Sequence, residues 1–192
     1  ALDLKAAATL GIQVCGTDSY KHAAPELTWA LIMAATRNLV AEANALRAGV
    51  WQQGLGGDLH GKTLAILGLG SIGQRVAQFG QVFGMRVIAW SENLTAERAA
   101  QVGVSHVSKQ ELFEQADVLS VHLVLSERSR GLVDAEALGW MKPTALLVNT
   151  ARGPIVDEAA LIKALQKRQL AGAALDVFDI EPLPPLHPFR TL

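Results

Sequence analysis

The stretch TLAILGLGSIGQRVA, residues 63–77, decides the fold. It opens with five residues that are almost all apolar, which is typical of a strand buried on both faces of a sheet. Three glycines follow in the pattern Gly68-x-Gly70-x-x-Gly73, and apolar residues then recur at helical spacing. The stretch therefore predicts a buried strand, a tight glycine turn and a helix.

Each glycine suits a different task at this turn. Gly68 permits the tight turn, Gly70 lets the backbone approach a pyrophosphate, and Gly73 lets the helix pack closely on the strand. The amino end of the helix adds a positive dipole that favours a phosphate. Because a second strand follows the helix, the pattern predicts dinucleotide binding.

A second glycine pattern, GGDLHGKT at residues 56–63, matches the phosphate-binding loop of nucleoside triphosphatases. Such a loop must follow a strand and open a helix, so that helix amides face the phosphates. Here the pattern precedes the strand, and no helical pattern follows Lys62. We interpret this match as a coincidence.

Further apolar strands alternate with helices along the chain, which predicts a parallel sheet covered on both faces. We expect an α/β protein with a doubly wound parallel sheet of the Rossmann type. Thr95, Ser108, Asp134 and Asp157 are expected helix N-caps, with Glu111 completing a capping box at Ser108. The expected strands are 63–68, 86–90, 104–107, 118–124, 145–149 and 172–178, and the expected helices are about 72–83, 95–102, 109–115, 134–140 and 157–168.

The first part of the chain has a different pattern. Residues 1–22 predict a short helix ended by Gly11 and then a strand, IQVCGT, at residues 12–17. Residues 25–47 predict one long helix whose middle, WALIMAA, is apolar on every face. A helix of this kind is buried on several sides, so we expect it to pack against a second domain or subunit.

Composition narrows the functional classes. The 192 residues carry a formal net charge of −1 and are 50% hydrophobic, which favours a globular enzyme or binding module and gives no electrostatic case for nucleic acid. No apolar run is long enough to span a bilayer. The single cysteine, Cys15, cannot form an internal disulfide and is expected to be buried, which favours a cytoplasmic location. We expect no metal site, and we interpret the chain as a piece of a longer one.

Polar residues gather where the strands are expected to end. The segment ALLVNTARGPIVDE, residues 145–158, places Arg152 after a strand, and Asp176 lies at the end of the last strand with Glu181 just beyond it. Because ligands of an open parallel sheet bind at the carboxyl ends of its strands, these side chains should lie beside the nucleotide. Gly153 and Pro154 then stop the strand and direct the arginine.

The end of the second strand bears on the choice of cofactor. Ser91 stands where an acidic residue usually binds the ribose hydroxyls, and Glu92 follows it. A serine leaves room for the 2′-phosphate of NADP, whereas Glu92 would repel that phosphate. We expect NAD, with NADP left open.

Three motifs in the chain resemble those of the D-isomer-specific 2-hydroxyacid dehydrogenases. These motifs are GKTLAILGLGSIGQRVA, NTARGPIVDEAALIKAL and GAALDVFDIEPLP. The resemblance implies Arg152 and Glu181 as catalytic residues, together with a histidine from a PHIG-like segment that these 192 residues do not contain; His187 is not its equivalent. The implied cofactor-binding residues are Gly68, Gly70, Ser71, Ile72, Gly73, Ser91, Leu123, Val124, Ser129, Thr150, Ala151, Arg152 and Asp176.

The resemblance also implies a function for the longer protein. It would transfer a hydride between NAD(P) and a 2-hydroxy or 2-oxo acid, as a cytoplasmic homodimer joined through helix 25–47, with no nucleic-acid or membrane partner. Residues 1–22 would be the tail end of a substrate domain, and residues 23–192 the dinucleotide-binding domain. The fragment alone would be inactive. A non-enzymatic NAD(H)-sensing module of the corepressor type is the alternative.

Overall fold

Six strands form one sheet in the computed structural model, which describes residues 2–16 and 22–192. The strands are β1 (Thr63–Leu67), β2 (Arg86–Trp90), β3 (Ser105–His106), β4 (Val118–Val121), β5 (Leu146–Asn149) and β6 (Gly172–Leu175). All neighbouring strands are parallel, and their order is β3-β2-β1-β4-β5-β6. The predicted Rossmann-type sheet is thus confirmed.

Helices cover both faces of this sheet. Thr95, Ser108, Asp134 and Asp157 each accept a backbone hydrogen bond at the start of a helix, and Glu111 completes the predicted capping box at Ser108. The helices are α1 (Leu4–Thr9), α2 (Ala23–Thr36), α3 (Leu39–Arg47), α4 (Ser71–Val82), α5 (Ala96–Ala100), α6 (Lys109–Gln115), α7 (Ala135–Gly139) and α8 (Glu158–Gln166).

The core lies in two layers, one on each face of the sheet. Leu64 and Ile66 of β1 pack with α2 and α4, whereas Ala65 and Leu67 pack with Phe113 of α6 and with α7 and α8. All five residues of β1 are buried. A central strand buried on both faces explains why its sequence shows no alternation of polar and apolar residues.

The prediction of one helix over residues 25–47 was wrong. The helix breaks between Thr36 and Leu39, where Asn38 adopts a left-handed conformation with φ of 53°. Asparagine tolerates this conformation better than most residues. The Thr36 carbonyl, which a continuing helix would bond to a later backbone N–H, instead accepts a hydrogen bond from the Gly57 N–H at 2.8 Å.

The predicted strand IQVCGT was also wrong as far as the structure describes it. Residues 12–16 belong to no strand, and Thr17 lies outside the described residues. Ile12 and Val14 are exposed and no neighbouring strand pairs with the described part of this segment, so its backbone has no sheet partners. Cys15 is exposed as well, contrary to the prediction that it is buried.

Two strands end earlier than predicted. β4 ends at Val121 and β6 at Leu175, so residues 122–124 and 176–178 belong to loops. Both loops leave the carboxyl ends of their strands. The apolar runs that looked like strand therefore extend into the loops at the edge where a ligand is expected.

Candidate functional site

The strand order reverses at β1, with β2 and β3 on one side and β4, β5 and β6 on the other. In open parallel sheets, ligands bind in the crevice beside such a reversal, at the carboxyl ends of the strands. Because all six described strands are parallel, the loops that follow them share this edge. The predicted residues lie there: Gly68, Gly70, Ser71, Ile72 and Gly73 after β1, Ser91 after β2, Leu123, Val124 and Ser129 after β4, Thr150, Ala151 and Arg152 after β5, and Asp176 and Glu181 after β6.

Two of the three motif glycines are required by close packing. Gly68 has φ of +106°, and a Cβ there would lie 2.8 Å from the His122 carbonyl. A Cβ on Gly73 would overlap the Gly68 carbonyl oxygen. Gly70 differs, because a Cβ there would meet no atom within 4 Å. Its backbone therefore remains open to an approaching group, as the sequence predicts for a pyrophosphate.

The amino end of α4 suits an anion. Helices α5, α6, α7 and α8 each have a side-chain cap, whereas α4, like α2 and α3, has none; its N-cap residue is Gly70, which has no side chain. Its first backbone N–H groups, including those of Ser71 and Ile72, therefore need an acceptor from outside the helix. An open glycine beside an uncapped helix end fits the pyrophosphate of a dinucleotide.

A cleft of about 370 Å³ lies between the ends of β2 and β4. It brings together four predicted residues, Ser91, Leu123, Val124 and Ser129, and also contains Arg128, which the sequence analysis missed. The Ser129 hydroxyl is occupied in shaping the loop, since it donates to the Val124 carbonyl at 2.7 Å and accepts from the Ser126 N–H at 2.8 Å.

Asn149, the last residue of β5, shapes the turn that carries Arg152. Its side chain is 1% exposed. Its amide accepts from the Ala151 N–H and donates to the Arg152 carbonyl, both at 3.0 Å. The Arg152 side chain is exposed beyond this turn. Sequence reasoning missed the role of Asn149, although an asparagine ending an apolar strand signals that its amide needs partners.

Gly153 brings the loop after β5 against the loop after β6. A Cβ on Gly153 would overlap the main chain of Phe178 and lie 2.7 Å from the Asp179 nitrogen. The Glu181 carboxylate accepts from the Phe178 N–H at 3.0 Å. The structure therefore places Arg152 and Glu181 on two loops that contact each other directly.

Helix α2 holds the end of β5 from the other side. The buried Thr28 hydroxyl donates to the Ala24 carbonyl at 2.8 Å and lies 2.7 Å from the Thr150 hydroxyl. Because the Thr28 proton is used by Ala24, the Thr150 hydroxyl is the donor between the two. This link joins residues 28 and 150, and no local pattern in the sequence indicates it.

His187, in the segment that follows Glu181, contacts the start of α8. Its Nε2 lies 3.0 Å from a carboxylate oxygen of Glu158, at the start of α8. Burial raises the pKa of the neighbouring Asp179, and the charges of Glu158 and Asp157 raise it further, while Arg130 and His187 oppose them. The contact with Glu158 anchors the segment that follows Glu181 onto α8.

His122 lies where the glycine turn meets the end of β4. The imidazole Nε2 of His122 is 2.8 Å from the Ser120 hydroxyl. The backbone N–H of His122 donates to the Leu67 carbonyl at 2.8 Å. Burial lowers the pKa of His122 to about 4, because the charged imidazolium is poorly solvated there. The imidazole is therefore neutral at physiological pH.

This lowered pKa predicts a pH-dependent stability. The unfolded chain binds a proton at His122 near pH 6.5 and the folded chain only near pH 4, so stability is full above pH 6.5 and falls as the pH drops towards 4. The loss from this group should reach up to about 3 kcal/mol. Urea unfolding of wild type and His122→Gln between pH 7.5 and 4 should show a shallower pH slope for the variant.

The control is His106→Gln, which alters an exposed histidine of β3. It should keep the wild-type slope. A His122→Gln slope equal to that of wild type would contradict the assigned burial of His122.

Two kinds of site find no support in the part of the chain that the structure describes. No three or more His, Cys, Asp or Glu side chains cluster there as metal ligands would. None of the helices in residues 2–16 and 22–192 combines the length and apolarity that crossing a bilayer requires.

Comparison with known proteins identifies relatives along nearly the whole chain. The family model described as D-isomer specific 2-hydroxyacid dehydrogenase, NAD binding domain, matches residues 29–192. A glyoxylate reductase of Aeropyrum pernix is 45% identical, over 97% of this chain and 59% of that protein. A D-3-phosphoglycerate dehydrogenase of Bacillus subtilis is 41% identical, over 82% of this chain and 30% of that protein.

Solved structures of similar proteins have the same fold as this chain. A phosphoglycerate oxidoreductase from Vibrio cholerae superposes with a TM-score of 0.94 at 42% identity, over 100% of this chain and 62% of the other. A D-lactate dehydrogenase from Aquifex aeolicus, complexed with NAD and lactic acid, gives 0.82 at 31% identity, over 93% and 54%. The chain thus spans 59% of the length of the glyoxylate reductase and similar shares of these two structures.

Proposed function

This chain belongs to the D-isomer specific 2-hydroxyacid dehydrogenase family, and we propose that the full-length protein transfers a hydride between a nicotinamide cofactor and a 2-hydroxy or 2-oxo acid. The proposal depends on one observation above all. The uncapped start of α4 and the Arg152 turn open on the same edge of the parallel sheet. A dinucleotide held at the first can therefore meet an acid held at the second.

Arg152 is proposed to bind the substrate. Its guanidinium is exposed at the crevice, and its one hydrogen bond with a described residue goes to the carbonyl of Ala151. A guanidinium fork matches the two oxygens of a carboxylate and can also polarise the neighbouring C2 carbonyl. The bound cofactor would supply or accept the hydride at that carbon.

Glu181 is proposed to act through a histidine. The family resemblance implies that this histidine donates the proton to the C2 oxygen and that it lies outside these 192 residues. A carboxylate beside an imidazole stabilises the protonated, positively charged imidazole and fixes the orientation of the ring. Asp176, whose N–H donates to the Asn149 carbonyl at 3.0 Å, would orient the nicotinamide.

An assay of the full-length protein tests this function. Glyoxylate, hydroxypyruvate and pyruvate should each be tried with NADH and with NADPH, and at least one pair should show cofactor oxidation. The 192-residue chain alone should bind cofactor and show no turnover, because the proposed proton donor is not among its residues. Turnover by this chain would contradict the proposed role of the histidine.

A non-enzymatic NAD(H)-sensing module is the second candidate. The glycine turn and the uncapped α4 would serve a sensor as well as an enzyme. The two candidates differ in one result: a sensor binds NADH and oxidises it with none of the 2-oxo acids.

A homodimer is also proposed, through the surface formed by α3 and residues 50–55. This surface exposes several large apolar side chains, and a surface of this kind favours association. They are Leu39, Val40, Leu46, Val50, Trp51 and Leu55. Light scattering from the full-length protein should give a dimer mass, and a monomer at high concentration would contradict this.

A further inference from the structure

We propose that Arg128 makes the cleft between the ends of β2 and β4 a binding site for the 2′-phosphate of NADP(H). This inference depends on the proposed nucleotide function. It differs from the expectation of NAD, which was drawn from Ser91 and Glu92 alone. The structure adds a residue that the sequence could not place there.

The fold places Arg128 and Ser91 at the same cleft. Ser91 follows β2 at the position where an acidic residue would bind the ribose hydroxyls of NAD, and Arg128 comes from the loop after β4. Both residues line the same cleft of about 370 Å³, together with Asn93. β1 lies between β2 and β4 in the sheet, so this cleft adjoins the glycine turn that follows β1.

The Arg128 guanidinium is available for a ligand. It is exposed and makes no ion pair or hydrogen bond with residues 2–16 or 22–192. By contrast, two arginines elsewhere are occupied: Arg86 donates to Thr63 and Gln115, and Arg190 donates to the carbonyls of Leu183 and Pro184. A free guanidinium fork binds phosphate oxygens through two parallel hydrogen bonds.

Ser91 leaves space and a donor for the same phosphate. Its carbonyl accepts from the Leu94 N–H at 3.0 Å, which turns the chain after β2. Its side chain is partly exposed, and a hydroxyl can donate to a phosphate oxygen. An aspartate at this position would instead repel the phosphate.

Glu92 repels the phosphate, but this repulsion is expected to be weaker than the attraction from Arg128. Its side chain is exposed and lines the same cleft, where solvent and salt screen its charge. Arg128 would act through direct charged hydrogen bonds, which contribute more than a screened repulsion. Glu92→Gln should therefore strengthen binding of the 2′-phosphate only slightly.

Calorimetric titration with two fragments of the cofactors tests the proposal without turnover. The full-length protein should bind 2′,5′-ADP at least about tenfold more tightly than 5′-AMP. Arg128→Gln should remove most of this preference while leaving the affinity for 5′-AMP unchanged, which also shows that the variant is folded. Arg98→Gln removes the same charge from α5, outside the cleft, and should keep the wild-type ratio.

Three results would overturn the proposal. Equal or tighter binding of 5′-AMP by wild type would show that no 2′-phosphate site exists, and an unchanged ratio in Arg128→Gln would show that another residue selects the cofactor. In both cases NADH or 5′-AMP still binds, so the proposed function stands. Failure of NADH, NADPH and both fragments to bind would remove the proposed function itself.

Discussion

Replacing Gly153 with alanine should lower the free energy of unfolding by about 2 kcal/mol or more. The added Cβ would overlap the main chain of Phe178 and lie 2.7 Å from the Asp179 nitrogen. Because these are backbone atoms, no change of side-chain rotamer relieves the overlap, and the loops after β5 and β6 must move apart. Alanine stiffens the unfolded chain and recovers only about 0.4–1 kcal/mol.

Gly139→Ala is the matched control for this measurement. Gly139 is the last residue of α7, and a Cβ there would meet no atom within 4 Å. Its replacement should leave stability unchanged or raise it slightly, since alanine favours a helix. Urea unfolding of both variants gives the comparison, and a Gly153→Ala protein as stable as Gly139→Ala would show that the two loops do not pack as described.

Arg152→Lys should lower kcat/KM of the full-length protein for its 2-oxo acid by about a factor of 10³, if the proposed function holds. Lysine keeps the positive charge but loses the planar fork that holds a carboxylate and polarises the carbonyl at once. Stability should hardly change, because the Arg152 side chain is exposed and its one described hydrogen bond goes to the adjacent Ala151 carbonyl.

Two further measurements make the Arg152 result specific. The affinity for NADH should stay within about threefold of wild type, which is less than 1 kcal/mol, because Arg152 is assigned to the substrate. Arg98→Gln should keep wild-type kcat/KM. Full activity of Arg152→Lys would contradict the assignment, and so would a loss of activity explained entirely by weaker cofactor binding.

The succession of strands and helices along the chain could largely be predicted from local sequence. β1 is apolar at nearly every position, and α5 to α8 carry their own N-caps, so each element depends on residues within or beside it. The glycine turn was also readable, because Gly68-x-Gly70-x-x-Gly73 follows a strand and opens a helix. These features predicted that the candidate residues follow the carboxyl ends of the strands, and the structure has them at that edge.

The wrong predictions share one physical origin. The segment after Gly11 has the composition of a strand, but the described part of it finds no neighbouring strand to pair with. The helix predicted over 25–47 has a continuous apolar pattern, but Asn38 turns the chain and Gly57 returns to bond the Thr36 carbonyl. In both cases a contact distant in sequence, or its absence, overrides the local preference.

The sequence by itself determined the α/β class, the glycine turn and the edge at which Arg152, Asp176 and Glu181 lie, because periodicity, capping and turn chemistry are local. Only the tertiary structure decided which residues support those side chains and which others lie beside them. Asn149 bonds the turn of Arg152, Gly153 packs on Phe178, and Arg128 joins Ser91 in one cleft. These are contacts between different strand ends, and they exist only once the sheet has brought those ends together.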